Sequence, residues 1–130
     1  MHGNKWGIRS LAGANDNTIE DNVFANNTMN DIMQYLGSDL DVPEVWPFTG
    51  INERNTYNLN FVNSTTKDPL VLKNSLDTVI TNNEFIGPGV LSFIGTNETR
   101  LSGNTGSPAE SSPKVENSCF TPTSGVVPVC

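Results

Sequence analysis

The side chains of this chain that can carry chemistry are few, and most are cations or amides. His2 is the only histidine. It is the candidate catalytic residue, since an imidazole can give or take a proton near neutral pH, although a histidine so close to a terminus is ordinarily exposed and inert. Lys5, Arg9 and Lys73 are fixed cations, and Tyr35 adds a phenol. These four are candidates for binding a polymer that bears carboxylates. Removing a proton beside a carboxylate needs that carboxylate neutralised by a cation. It also needs a base on one face of the reacting carbon and an acid on the other. Arg9 alternates with Ile8, so it points outward if Ile8 points inward. The competing reading pairs an outward Arg9 with Asp31 or Asp39. Trp6 offers a face for stacking on a ring or for packing at an edge.

Metal chemistry has little support. Asp39, Asp41 and Glu44 are near one another and are calcium-type ligands, but no glycine-spaced calcium repeat accompanies them. There is no phosphate loop, no Cys–His zinc spacing and no nucleophile elbow. No metal and no cofactor is expected.

The elements that must position these groups follow from composition. The chain has 130 residues, enough for one domain or part of a larger one. Asparagine occurs 18 times and threonine 13 times, with 11 glycines, against four alanines and four lysines. Helix formers are scarce and turn formers abundant, which excludes a helical bundle. The net charge is −7, and this argues against nucleic acid as a partner, because a phosphate backbone needs a cationic surface. No apolar run is long enough to span a bilayer, so no membrane partner is expected. No apolar segment follows the amino terminus in the manner of a secretory signal.

Internal repeats decide the architecture. Ile19 to Phe24 and Ile80 to Phe85 share one pattern: an apolar residue, two variable ones, Asn, one variable residue, Phe. Tyr57 to Val62 fits with Tyr and Val at the apolar ends, and Leu101 to Asn104 fits in its first four positions. The anchoring residues are Asn22, Asn60, Asn83 and Asn104, spaced by 38, 23 and 21. A period near 22 with one insertion, at about 37–53, describes them. A second apolar strand precedes each anchor. No repeat has room for a strand plus a crossover helix. The expected fold is all-β, a right-handed parallel β-helix of about four coils over 1–106. Asn at a coil corner tolerates left-handed backbone and can bond its counterpart on the next coil. Ile19, Tyr57, Ile80 and Leu101 are expected to stack inside. An Asn-rich antiparallel sandwich is the alternative, but the chain lacks Asn-Gly and Asp-Gly hairpin turns.

Residues 107–130 read as a Pro/Ser-rich tail. Its Cys119 and Cys130 can close a short disulfide loop, either capping the coils or belonging to a following module. Sequons at Asn26, Asn63 and Asn97 permit glycosylation. Tail cysteines and sequons together point to a secreted, extracellular protein.

Lys5-Trp6-Gly7-Ile8-Arg9, Asn17-Thr18-Ile19 through Asn22-Val23-Phe24, and Gln34-Tyr35-Leu36-Gly37-Ser38-Asp39 resemble the later coils of algal-type mannuronan C-5-epimerases. These are right-handed β-helix proteins acting on acidic polysaccharides, and the similarity covers roughly residues 3–105. The resemblance implies a secreted enzyme that inverts carbon five of mannuronate within alginate, without a cofactor. It also implies a chain truncated at its amino end, since such enzymes have more coils. Their Asp-Pro-His-Asp signature has no counterpart here. The sole Asp-Pro, Asp68-Pro69, is followed by Leu70 and Val71, so those catalytic residues are not carried over. The alternatives are a non-catalytic glycan-binding or structural segment and a lyase fragment.

Overall fold

The structure is a computed structural model that describes residues 2–11, 13–35, 51–64, 68–107, 113–123, 125 and 127–130. Its elements are all strands: β1 (Trp6–Leu11), β2 (Thr18–Glu20), β3 (Val23–Ala25), β4 (Asn30–Tyr35), β5 (Asn52–Glu53), β6 (Thr56–Asn58), β7 (Phe61–Asn63) and β8 (Leu70–Lys73) in the first half. The second half has β9 (Ser75–Leu76), β10 (Val79–Thr81), β11 (Glu84–Ile86), β12 (Ser92–Ile94), β13 (Thr99–Ser102), β14 (Thr105–Ser107), β15 (Lys114–Glu116) and β16 (Phe120–Thr121). They form four sheets. Sheet 1 runs β1-β4-β8-β12-β15, sheet 2 runs β2-β6-β10-β13-β16, sheet 3 runs β3-β7-β11-β14, and sheet 4 is β5-β9. Every strand pair is parallel. The chain visits sheets 2, 3 and 1 in turn, and sheet 4 where present, once per coil. This is a parallel β-helix of about four turns.

The lumen is filled by side chains in register. Ile19, Tyr57, Ile80 and Leu101 pair in one row of sheet 2. Phe24, Val62 and Phe85 form a row of sheet 3 that ends on Gly106. Gly106 has φ +90°, and a Cβ there would collide with the Phe85 carbonyl, so only glycine closes this row. In sheet 1, Gln34, Leu72, Phe93 and Val115 share a row. All of the aromatic members of these rows are fully buried.

Each corner obeys a two-residue rule. One residue adopts left-handed backbone and the next turns a small polar side chain inward. At the corner between sheets 2 and 3 the left-handed residues are Asp21, Leu59, Asn82 and Gly103. The residues after them are Asn22, Asn60, Asn83 and Asn104. The anchors themselves are therefore not the left-handed positions that the sequence reading made them; the strained turn falls one residue earlier, which frees the anchor to aim its amide along the stack. A second corner repeats the rule with Asp16, Arg54, Asp77 and Glu98, followed by Asn17, Asn55, Thr78 and Thr99. A third uses Asn74, Gly95 and Asn117 before Ser75, Thr96 and Ser118.

Two boundaries differ from the sequence reading. Asn52 and Glu53, assigned to the insertion, pair with Ser75 and Leu76 and so belong to a coil. Residues 36–50 of that insertion, with Asp39, Asp41 and Glu44, lie outside the described residues. The coils also continue past residue 106. Lys114–Glu116 pairs with β12 and Phe120–Thr121 with β13. The Pro and Ser content of this stretch hid both strands, because three-residue strands carry almost no periodic signal.

Leu59 is the costliest corner residue. Its φ is 55° and its side chain is 52% exposed, so it bears the Cβ clash of a left-handed residue without gaining burial. The equivalent positions hold Asp, Asn and Gly. Leu59→Asn should raise the unfolding free energy by about 1 kcal/mol, read from the urea midpoint at unchanged slope. An unchanged or lowered midpoint would show that the corner is not strained.

Candidate functional site

Charge is sorted by sheet. The ion pairs seen among the described residues lie away from sheet 1. Arg54 holds Asp16 through Nε and Nη2, at 2.6 and 2.9 Å, and Glu53 through Nη1, at 2.5 Å. Hydrogen bonds and attraction from Asp16 and Glu53 raise the Arg54 pKa further above its already high value, and the Arg54 guanidinium lowers that of Asp16. Arg100 holds Asp77. These groups are exposed and screened, so they add little stability.

The remaining described cations belong to sheet 1. Lys5 leads into β1, Arg9 lies in it, Lys73 ends β8 and Lys114 opens β15. Arg9, Met33, Val71, Ser92 and Lys114 form one continuous row across five strands. At about 4.8 Å per strand, Arg9 and Lys114 stand roughly 19 Å apart. Between them lie the half-buried Met33 and the nearly buried Val71 and Ser92. Lys73 is in the neighbouring row, in register with Ile94 and then Glu116. The backbone of Tyr35 pairs with Leu11 in β1; its side chain lies outside the described part. Sheet 1 therefore presents a shelf with cationic margins and the half-buried Met33 between them. Glu116 is an acidic member of it.

Trp6 sits at the amino-terminal rim of that shelf. The Lys5 ammonium is 4.6 Å from the ring centroid and the Arg9 guanidinium 4.0 Å, close enough for cation–π attraction. Arg9 also lines a cleft of about 400 Å³ with Ile8, Ser10, Thr18 and Ile19. Asp31 and Asp39 are the two acids expected as partners of an outward Arg9. Asp31 is buried, and Asp39 lies outside the described residues.

Among the described residues, the groups needed for proton transfer are not gathered at the shelf. His2 bridges to Ala25 in the sheet 3 row and is exposed, so the structure does not bring it to Arg9 or Lys73. Tyr57 is the other described phenol with a resolved environment, and it points into the lumen. Its hydroxyl donates to Gln34 Oε1 at 2.7 Å. Burial pushes its pKa up to about 12, against an opposing hydrogen bond with Ser10. Gln34 in turn donates to Ser75 at 2.7 Å and to Thr78 at 3.3 Å, and accepts from Asn55 at 3.1 Å. This network satisfies buried polar atoms and is shut off from solvent.

The sequence reading passed over two features. Lys114 was hidden in the apparent tail. Asp31 reads as a surface acid by strand alternation, yet it has no exposed surface. It accepts a 2.6 Å hydrogen bond from Asn27 Nδ2, while its Oδ2 has no partner among the described residues. Burial raises its pKa above 3.8, and hydrogen bonds with Asn27 and Ser64 offset part of that rise. Of the sequon residues, Asn26 and Asn97 are exposed and Asn63 is half-buried. Cys119 and Cys130 are joined in a disulfide.

Comparison of the chain with protein-family models, with curated proteins and with solved structures returns no match. The fold and the cationic shelf are therefore defined by their own geometry.

Asp31 makes a pH test possible. Its folded-state pKa is raised, so the folded chain holds a proton that the unfolded chain releases. The stability this proton confers is present below the ordinary carboxylate value of 3.8 and is lost as pH rises through the raised value. Asp31→Asn keeps an acceptor for Asn27 and removes the buried charge. The variant should melt higher than the native chain at neutral pH, with the difference vanishing near pH 4. A native chain that melts higher at neutral pH would mean that ionised Asp31 is stabilised by groups other than Asn27 and Ser64.

Proposed function

We propose that the chain is an acidic-polysaccharide-binding β-helix segment of a secreted, alginate-modifying enzyme of the mannuronan C-5-epimerase type. The observation that carries the binding reading is the sorting of charge. In a chain with net charge −7, Lys5, Arg9, Lys73 and Lys114 gather at sheet 1, and the described ion pairs, those of Arg54 and Arg100, lie elsewhere. A polyuronate lying across the strands would place a ring face on the half-buried Met33 and carboxylates beside the cations at the margins. Trp6 would border the first ring. Gly7-Ile8-Arg9 and Gln34-Tyr35, from the segments that carry the resemblance to the epimerases, lie in the same sheet. The Cys119–Cys130 bond fits an oxidising, extracellular setting.

In an epimerase of this kind, the cations would neutralise the carboxylate beside carbon five, so that the proton there can leave. Among the described residues of the shelf, no base and acid face each other across such a carbon. A second reading, carried by the same cations, is that the chain binds the polymer without turning it over.

Titration calorimetry with polymannuronate and with a neutral glucan tests binding first. The chain should bind polymannuronate, more weakly as salt rises. The Lys73→Ala/Lys114→Ala variant should bind roughly tenfold more weakly, equivalent to about 1.4 kcal/mol. Equal affinity for the neutral glucan would sink the proposal. Incubation in deuterated water then separates the readings. Deuterium at carbon five identifies the epimerase, unsaturated chain ends identify a lyase, and binding with neither identifies the non-catalytic segment.

A further inference from the structure

One strand contact in this molecule runs against all the others. The strand ladders and the bridges His2–Ala25 and Leu76–Asn97 are parallel, but Phe120 and Val129 pair antiparallel. The Phe120 N–H donates to the Val129 carbonyl at 2.9 Å, and the Val129 N–H donates to the Phe120 carbonyl at 2.7 Å. Phe120 lies in β16, the outermost strand of sheet 2. The backbone groups that Val129 occupies are those a further parallel coil would use. The returning segment that carries Val129 is tied down by the Cys119–Cys130 bond.

Phe120 itself is held independently of that return. It pairs with Thr99 in β13, is 5% exposed, and packs its ring 5.3 Å from that of Phe93. By contrast, the returning segment exposes its apolar side chains, with Val127 at 69% and Val129 at 47%. Among its ties to the coils is a hydrogen bond from the Gly103 N–H to Thr123 Oγ1 at 3.1 Å. The covalent bond thus joins a well-anchored strand to a segment with little packing of its own.

We propose that the disulfide loop is a redox-releasable cap on the outer edge of sheet 2. A dithiol transfers two electrons and two protons to the bond, leaving two cysteine thiols and closing to its own cyclic disulfide. The segment that carries Val129 then detaches, and the outward N–H and C=O of Phe120 become open to pairing. The coils stay folded because Phe120 remains bound to β13 and Phe93. The oxidised chain is the sealed state, and the reduced chain is the state that can accept a strand.

Amide hydrogen exchange with and without dithiothreitol tests this, followed by removal of the reductant. The Phe120 and Val129 amides should exchange at least about tenfold faster in the reduced chain, while the amides of Asn60, Val79 and Asn83 keep their rates. Reoxidation should restore protection. The Cys119→Ser/Cys130→Ser variant should behave as the reduced chain does without any reductant. Unchanged protection at Phe120 and Val129 in either the reduced chain or the variant would overturn the proposal, since the loop would then hold without its bond. Loss of protection throughout the coils would overturn it as well, because the bond would then belong to the stability of the whole solenoid.

Discussion

The structure depends on one hydrogen-bonding arrangement, in which a buried asparagine amide oxygen takes two donors from the coil beside it. Asn60 Oδ1 accepts the backbone N–H of Asn22 at 3.1 Å and its Nδ2 at 3.2 Å. Asn83 Oδ1 does the same for Asn60, at 2.9 and 3.0 Å, and Asn104 Oδ1 for Asn83, at 3.0 Å each. The Nδ2 groups of Asn60, Asn83 and Asn104 also donate to carbonyls of the preceding coil, those of Ile19, Tyr57 and Ile80, and that of Asn22 to the Glu20 carbonyl of its own coil. At a corner the strand ladder is interrupted, and backbone groups there would be buried without partners. Leaving such a group unmade costs about 1–3 kcal/mol. The amide is the one neutral side chain that supplies donors and acceptors together at this reach, so it both satisfies the corner and fixes the register of the next coil.

Other corners solve the same problem with smaller groups, and the solution decides what the lumen can hold. Asn17 and Asn55 repeat the amide pairing at the sheet 2 entrance. The later coils replace them with Thr78 and Thr99, and a third line uses Ser75, Thr96 and Ser118. The Thr96 N–H donates to Ser118 Oγ at 2.9 Å. Gln34 ties two of these lines together and anchors the Tyr57 hydroxyl. The lumen is thus apolar along sheets 2 and 3 and polar along the remaining corner. The outward faces are left for charge, and among the described residues the ion pairs of Arg54 and Arg100 lie away from sheet 1, where Lys5, Arg9, Lys73 and Lys114 gather.

How much of this could be read from sequence depended on side-chain type. Asn22, Asn60, Asn83 and Asn104 were legible because asparagine followed by an apolar residue two positions on is a rare and repeated pair. The inward row of Ile19, Tyr57, Ile80 and Leu101 was legible from the same spacing. The Ser and Thr corners were not, since those residues are common on any strand surface. Lys114 was missed because Pro and Ser around it imitate a linker, and Asp31 because alternation gives the wrong face where the strand begins at a bend. The shelf was half legible. Lys5, Arg9 and Lys73 could be named, but the row that joins Arg9 to Lys114 exists only through four register matches that no local pattern encodes. His2 was named for its chemistry alone, and it lies on a different sheet.

The central claim is that the amide ladder, more than the apolar rows, holds each corner closed. The most direct measurement is amide hydrogen exchange at Asn60 in the Asn83→Ala variant. Asn83 is buried, and its Oδ1 is the acceptor of the Asn60 N–H, so removing it leaves that donor without a partner. At about 3 kcal/mol for the lost acceptor, exchange at Asn60 should quicken by roughly a hundredfold, while strand amides such as that of Val79 change far less. Equal exchange at Asn60 in the variant and the native chain would contradict the account, because the corner would then be held by packing alone.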